Sequence, residues 1–162
     1  MKVLVAEDDR ATRVRILAYL EEWGHQGIPA ADGAEAWEIF RREGDIGLVI
    51  TDWQMPEVDG VELIRRIRGD KEDLIYHFAI LLTSRSEKKD VVAGMEAGAD
   101  DFVVKPFDKD ELRARISAGE RILSLEHELA EKNLKLEASN REITKANERM
   151  RESLVSAASI QQ

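Results

Sequence analysis

Short apolar runs alternate over the first two thirds of the chain with segments in which apolar residues recur every three or four positions. The runs predict buried strands, and the recurring segments predict amphipathic helices. The predicted strands are residues 3–6, residues 26–29, a run that ends at Asp52, residues 78–83 and residues 102–105. Strands that alternate with helices in this way indicate βαβ units around a parallel sheet.

The apolar positions also predict which side of each helix is buried. The expected core residues are Val14, Leu17, Ala18 and Trp23, then Ala36, Trp37, Ile39 and Phe40, then Val61, Leu63, Ile64 and Ile67, and finally Val91, Val92 and Met95. The pattern predicts a doubly wound, flavodoxin-like α/β fold with a five-stranded parallel sheet in the order 2-1-3-4-5. Right-handed crossovers place helices on both faces of this sheet. The Gly and Pro of residues 26–29 indicate an edge strand.

A long helix is predicted after Pro106. From there the chain has no proline and one glycine, Gly119, so a single helix could run from near Asp108 to Gln162, about 80 Å at 1.5 Å per residue. Apolar residues recur every seven positions in this helix, as in a coiled coil. These positions are Ile122, Leu129, Leu136, Ile143, Met150 and Ala157. A long C-terminal coiled-coil helix is therefore part of the predicted fold.

The second seam of the coil has two candidate registers. Three positions onward lie Leu125, Lys132, Ser139, Ala146, Ser153 and Ile160. Four positions onward lie Glu126, Asn133, Asn140, Asn147, Leu154 and Gln161. Either seam is half polar, so the coil should be marginal alone and suited to switching. We expect a parallel homodimer, because the three asparagines would then face their own copies across the axis.

Composition and charge narrow the function classes. The chain has 162 residues and a net charge of −9, and its three Trp, two Tyr and four Phe all fall at or before Phe107. An acidic body argues against direct nucleic-acid binding. The absence of Cys is compatible with a reducing compartment, and no leader or long apolar span predicts export or membrane insertion. We expect a cytoplasmic protein.

Polar side chains that could bind a ligand or take part in a reaction follow four of the predicted strands. They are Glu7 and Asp8, Asp52, Thr83, and Lys105, which precedes Pro106. Ligand sites in open parallel sheets lie outside the carboxyl ends of the strands, so these side chains should converge on one pocket. Carboxylates this close cannot all stay ionised without a cation, and a set of oxygen ligands favours Mg²⁺. Asp9 is interpreted instead as the cap of the first helix, and Asp59-Gly60 as a turn and cap.

At these positions the sequence resembles the response-regulator receiver family of two-component signalling, over roughly residues 1–118. Glu7-Asp8 resemble the acidic pair of that family, and residues 52–60 resemble its Asp-x-x-Met-Pro stretch. The resemblance implies that Asp52 is the phospho-acceptor, Thr83 the switch hydroxyl and Lys105 the phosphoryl-binding lysine. It makes the chain a regulatory phospho-acceptor and not a multi-turnover enzyme, since nothing after Lys105 supplies a substrate pocket.

The resemblance also implies partners and further roles. Asp52 would take a phosphoryl group from a sensor histidine kinase, with Mg²⁺ held by Glu7, Asp8, Asp52 and the backbone carbonyl of Gln54. Phe102 would turn inward when the Thr83 hydroxyl moves. Gln54 and Arg85 would tune hydrolysis of the acyl phosphate.

The domain plan predicted from these features is a receiver over residues 1–118 and a coiled-coil linker helix over residues 119–162. Gly119, at the junction, is interpreted as a hinge, with simple tolerance of glycine as an equal alternative. Residues 156–162 look like the helix that leads into a serine/threonine phosphatase output domain. A diguanylate cyclase output, or a stand-alone receiver whose coil binds a downstream protein, are the alternatives.

Overall fold

A computed structural model describes residues 1–84 and 88–160. In these residues five strands alternate with five helices. The elements are β1 Lys2–Ala6, α1 Arg10–Glu22, β2 Gln26–Ala30, α2 Gly33–Arg42, β3 Ile46–Asp52, α3 Gly60–Gly69, β4 Phe78–Thr83, α4 Lys88–Glu96, β5 Asp101–Val104 and α5 Lys109–Ile160. The alternation of strands and helices that the apolar pattern predicts is confirmed.

The five strands form one parallel sheet in the order β2-β1-β3-β4-β5. This confirms the predicted doubly wound, flavodoxin-like arrangement. The strand that contains Pro29 lies at an edge, where its missing N–H costs no ladder hydrogen bond. The central strand β3 is flanked by β1 and β4, so its carboxyl end at Asp52 lies between theirs.

Side chains alternate between the two faces of the sheet, and each face is covered by helices. One face packs against α1 and the first turns of α5 through Ile16, Leu20, Leu112 and Ile116. The other face packs against α2, α3 and the segment that follows α4, which contributes Ala97 and Ala99. All of the core residues predicted for α3, and three of the four predicted for α2, are buried.

The predicted buried faces of α1 and α4 are partly wrong. Val14 is 54% exposed and Ala18 is exposed, whereas Ile16 and Leu20 are fully buried. Ile16 and Leu20 are one turn apart and share the sheet-facing side, from which Val14 is rotated away. In α4, Val92 and Met95 are exposed. Its sheet-facing side carries small residues instead: a Cβ added to Gly94 would lie 2.8 Å from Cδ2 of Leu81.

The long helix α5 confirms the expectation of a continuous C-terminal helix. The chain divides into two compact units, Met1–Leu123 and Ser124–Gln162. Within the first unit, Leu112 and Ile116 are buried, and Leu123 packs against the same core. Within the second unit the seven-residue repeat is open to solvent, with Leu129, Leu136, Ile143 and Met150 between 54% and 64% exposed.

Gly119 is buried against the sheet. A Cβ at this position would lie 2.7 Å from Cδ1 of Phe78 and 3.0 Å from Cδ1 of Leu48. Real Cβ atoms essentially never approach that closely. Close packing of α5 on β3 and β4 therefore explains this glycine, and neither hinge freedom nor simple tolerance is needed.

Candidate functional site

Four strands end at one edge of the sheet with polar side chains. Glu7 follows β1, Asp52 is the last residue of β3, Thr83 is the last residue of β4, and Lys105 follows β5. Because the strands are parallel, their carboxyl ends share this edge. The structure thus brings together the strand ends that the sequence singled out.

The carboxylates of Glu7, Asp8 and Asp52 form a cluster. Each offers an oxygen, and the three oxygens lie within 4.8 Å of one another. Glu7 has no solvent exposure and Asp52 is 8% exposed, whereas Asp8 is exposed. A set of carboxylate oxygens open to solvent on one side suits Mg²⁺, which binds through one or two carboxylates and keeps several waters.

Lys105 lies against two of these carboxylates. Its Nζ is 2.9 Å from Oε2 of Glu7 and 3.2 Å from Oδ2 of Asp52. The backbone also positions this lysine, since its N–H donates to the carbonyl oxygen of Thr83 at 2.8 Å. The peptide bond between Lys105 and Pro106 is cis. One ammonium therefore faces two buried acids.

Burial changes the protonation of these groups. Burial raises the pKa of Glu7 to about 7, although the hydrogen bond from Lys105 opposes this shift. Burial also raises the pKa of Asp52, against the charge of Lys105. Burial would lower the pKa of Lys105, but its hydrogen bond to Glu7 and the charges of both acids outweigh this and raise it. Lys105 alone does not compensate the acids, so the donor set fits an added divalent cation.

The loop after Asp52 is held tightly by the backbone. The N–H of Trp53 donates to the carbonyl of Leu82 at 2.8 Å, and the N–H of Gly60 donates to the carbonyl of Trp53 at 2.9 Å. A Cβ at Gly60 would lie 2.1 Å from the carbonyl oxygen of Asp52. The role of Gly60 therefore goes beyond the turn and cap predicted from the sequence. Only a residue without a side chain allows α3 to start so close to the backbone of Asp52.

A cleft of about 390 Å³ opens beside the acidic cluster. It is lined by Asp8, Trp53, Gln54, Met55, Pro56 and Asp59. Gln54 is exposed at this cleft. Arg85 lies outside the described residues.

Thr83 and Phe102 occupy different surroundings. Thr83 is 1% exposed at the end of β4. Phe102 lies in β5 opposite Leu81 and is half-buried against the cluster that contains Trp53 and Ala97. The switch roles that the resemblance implies for these two side chains stay predictions.

Two residues near the acids have supporting roles. Asp9 caps α1, since its carboxylate accepts the N–H of Thr12 at 3.0 Å, and Thr12 lowers its pKa. This agrees with its interpretation as a cap. Arg13 donates to the carbonyl oxygen of Glu7 at 2.7 Å. Sequence reasoning missed Arg13, and its spacing in α1 carries no signal that would have revealed this contact.

Comparisons with known proteins agree with this geometry. The chain is 34% identical over 119 residues to a chemotaxis protein CheY homolog of Campylobacter jejuni. The aligned region covers 72% of this chain and 89% of that protein. It is 41% identical over 118 residues to the response regulator MprA of Mycobacterium leprae, covering 73% of this chain and 50% of that protein. This chain thus spans about half the length of MprA.

Among solved structures, a probable two-component system response regulator/GGDEF domain protein is similar. Its TM-score is 0.70 at 30% identity, and the match covers 76% of this chain and 50% of that one. The sequence model of the response regulator receiver domain matches residues 3–117. With this match, the strand order and the acids at the strand ends, the chain belongs to the response regulator receiver domain family of two-component signalling.

Proposed function

We propose that this receiver is a phosphorylation-controlled switch in which Asp52 accepts a phosphoryl group from a phosphorylated histidine of a sensor kinase. One observation carries the proposal: the Asp52 carboxylate lies within 3.2 Å of Lys105 and beside Glu7 and Asp8, at the edge where the strands end. Buried acids with raised pKa values beside a specific cation are typical of functional sites.

The chain's own residues account for the transfer. A carboxylate oxygen of Asp52 attacks phosphorus, the phosphorus–nitrogen bond of the donor breaks, and its electrons return to the imidazole, leaving an acyl phosphate on Asp52. Lys105, already beside Asp52, pairs with the new phosphoryl oxygens. Mg²⁺, held by Glu7, Asp8, Asp52 and the Gln54 carbonyl, would supply positive charge that offsets the charge of the phosphoryl group.

The readout would begin at Thr83 and Lys105. Thr83 ends β4 and Lys105 follows β5, at the edge of the sheet that carries Asp52. An anionic phosphoryl group there would give the hydroxyl and the ammonium a common partner. Inward movement of Thr83 and Lys105 toward this group would shift a two-state equilibrium toward the phosphorylated conformation. Phe102 lies on β5, the strand that pairs with β4, and would turn inward with them.

We assign residues 1–118 to the receiver and residues 119–162 to a signalling helix that forms a parallel homodimeric coiled coil. The support is the solvent-exposed seven-residue repeat of Leu129, Leu136, Ile143 and Met150. An exposed apolar stripe at this spacing is the surface that a second copy of the same helix would cover.

The output that this helix serves is a separate proposal. Residues 156–162 favour a serine/threonine phosphatase domain, and the similar response regulator/GGDEF domain protein favours a diguanylate cyclase. A stand-alone receiver whose coil binds a partner is the third possibility. The length of the natural reading frame separates these three.

No described helix is long and apolar enough to cross a membrane. Separately, we assign the protein to the cytoplasm, because response regulators are typically cytoplasmic.

Mass spectrometry of the intact chain tests the phospho-acceptor. Incubation with acetyl phosphate and Mg²⁺ should add one phosphoryl group to the parent and none to Asp52→Asn. Asp45→Asn is the matched control, because Asp45 precedes the opposite end of the same strand. An adduct that persists in Asp52→Asn would overturn the assignment.

A further inference from the structure

The loop that carries Gln54 is supported from behind by α2. Its side chains Met55 and Val58 are both 8% exposed and belong to the core cluster that includes Ala36 and Ile39 of α2. A tight turn shapes the loop, because the N–H of Val58 donates to the carbonyl of Pro56 at 2.9 Å. The residue between them, Glu57, has a φ of 67°, a backbone conformation that residues other than glycine rarely adopt.

Gly33, the first residue of α2, meets the backbone of this turn. A Cβ at Gly33 would lie 2.0 Å from the carbonyl oxygen of Val58, 2.8 Å from its carbonyl carbon and 2.9 Å from its Cβ. A flexible side chain could rotate away from such a clash, but a carbonyl oxygen moves only with the loop. The distance between α2 and the loop therefore depends on Gly33 having no side chain.

We propose that Gly33 is a positioning residue for the metal site, acting through the Val58 carbonyl on the loop that presents Gln54. This inference rests on the proposed Mg²⁺-dependent phosphorylation. A side chain at residue 33 would push on the Val58 carbonyl and displace the loop, whereas Asp8 follows β1 and Asp52 is held in β3. Gln54 belongs to this loop and lines the same cleft as Asp8, so the shift would move its backbone carbonyl, the proposed fourth Mg²⁺ ligand, relative to the carboxylates.

The test is a Mg²⁺ titration of the full chain carrying Gly33→Ala. Trp53 lines the cleft with Asp8 and Gln54, so its fluorescence reports the ion once Trp23 and Trp37 are replaced by Phe in every variant. The Mg²⁺ dissociation constant should rise by roughly tenfold or more, the usual effect of disturbing groups that orient metal ligands. Gly44→Ala is the matched control, because a Cβ there meets nothing within 4 Å, and its affinity should equal the parent's.

Phosphorylation kinetics separate positioning from general damage. Because Asp52 and Lys105 are untouched, the rate of phosphorylation by acetyl phosphate in Gly33→Ala should recover toward the parent rate at saturating Mg²⁺. A rate that stays low at every Mg²⁺ concentration, with unchanged affinity, would overturn the positioning role. A parent chain that neither binds Mg²⁺ nor accepts phosphate would instead overturn the proposed function.

A second variant keeps the test open if Gly33→Ala folds poorly. Glu57→Gly allows the Val58 carbonyl to turn away, so the double variant Gly33→Ala/Glu57→Gly can accommodate the new methyl group by shifting the loop. Its Mg²⁺ affinity should be lower than that of Glu57→Gly alone. Equal affinity of these two variants would contradict the proposal.

Discussion

The ammonium of Lys105 donates a hydrogen bond of 2.9 Å to Glu7, a carboxylate with no solvent exposure, across 98 positions of sequence. This contact ties the loop after the last strand to the end of the first. The Glu7 carboxylate is buried and has no access to water that could replace Lys105. The pair should therefore contribute to the stability of the fold as well as to the chemistry of the site.

Replacing Lys105 with Ala should lower the free energy of unfolding at pH 8 without Mg²⁺ by about 1 to 3 kcal/mol, because a buried carboxylate loses its partner. Urea unfolding measures this effect. In a Glu7→Gln background the same substitution should cost less, as a double-mutant cycle will show. Lys109→Ala is the control: its pair with Glu22 is exposed and should contribute under about 1 kcal/mol. Equal costs for Lys105→Ala in both backgrounds would contradict the pairing.

The stability of the metal-free protein should fall as the pH rises from about 5 to 8. The pKa of Glu7 is about 7 in the folded chain against a usual 4.5, so between these values the folded state binds the extra proton. Stability then decreases with pH, by about 2 to 3 kcal/mol across this window. The raised pKa of Asp52 acts in the same direction. Urea unfolding in EDTA at several pH values measures the slope.

Two controls define the source of that slope. Glu7→Gln removes the main titrating group, so its pH profile should be flatter than the parent's. Saturating Mg²⁺ should also flatten the parent profile, since the cation favours the ionised acids. Measurements stay above pH 5, because the lowered pKa of Asp9 gives an opposite slope in more acidic solution. A parent profile that matches Glu7→Gln would contradict the burial effect.

Gly119→Ala distinguishes close packing from a flexible hinge by the sign of its effect. If Gly119 were only a hinge in a helix, alanine would stabilise the protein by about 1 kcal/mol. Since the new methyl group would lie 2.7 Å from Phe78, we expect destabilisation by about 1 to 3 kcal/mol instead. Thermal and urea unfolding measure it. Gly69→Ala, where a Cβ meets nothing within 4 Å, should lack this penalty.

Disrupting the exposed repeat should abolish the proposed homodimer. Leu129→Asp/Leu136→Asp places charge on the seam, so light scattering should report a monomer where the parent is a dimer. Leu134→Asp is the control, since Leu134 is also an exposed leucine of this helix, at 67%, but lies off the seven-residue repeat. A chain ending at Leu123 keeps the whole compact first unit and should be monomeric without phosphate. If the parent and truncated chains have the same oligomeric state, the coiled coil is not the dimer interface.

The register of the coil has its own test. Lys132→Leu strengthens the dimer if the second seam lies three positions after the first, and Asn133→Leu strengthens it if the seam lies four positions after. Thermal unfolding of each variant, at several protein concentrations, shows which residue occupies the core. Stabilisation by neither substitution would argue against both registers.

The fold class and the strand ends that carry polar groups could both be predicted from the amino-acid sequence. Apolar runs and helical spacing are local signals, and the run at residues 78–83 predicted β4 with the bounds Phe78–Thr83 that the structure shows. In a parallel sheet the carboxyl ends of all strands share one edge, whatever the order of the strands. The pattern of strand ends is therefore sufficient to place Asp52 and its polar neighbours together at that edge.

The contacts between those elements depend on tertiary packing and could not be predicted from local patterns. Local spacing suggested Val14 as a core residue, but the position of the sheet beneath α1 buries Ile16 and leaves Val14 exposed. The same is true of Gly33 and Gly119, whose importance lies in a backbone and a ring that come from distant parts of the chain. Burial and close approach depend on what lies opposite a residue, and that neighbour is set by the packing of whole elements against one another.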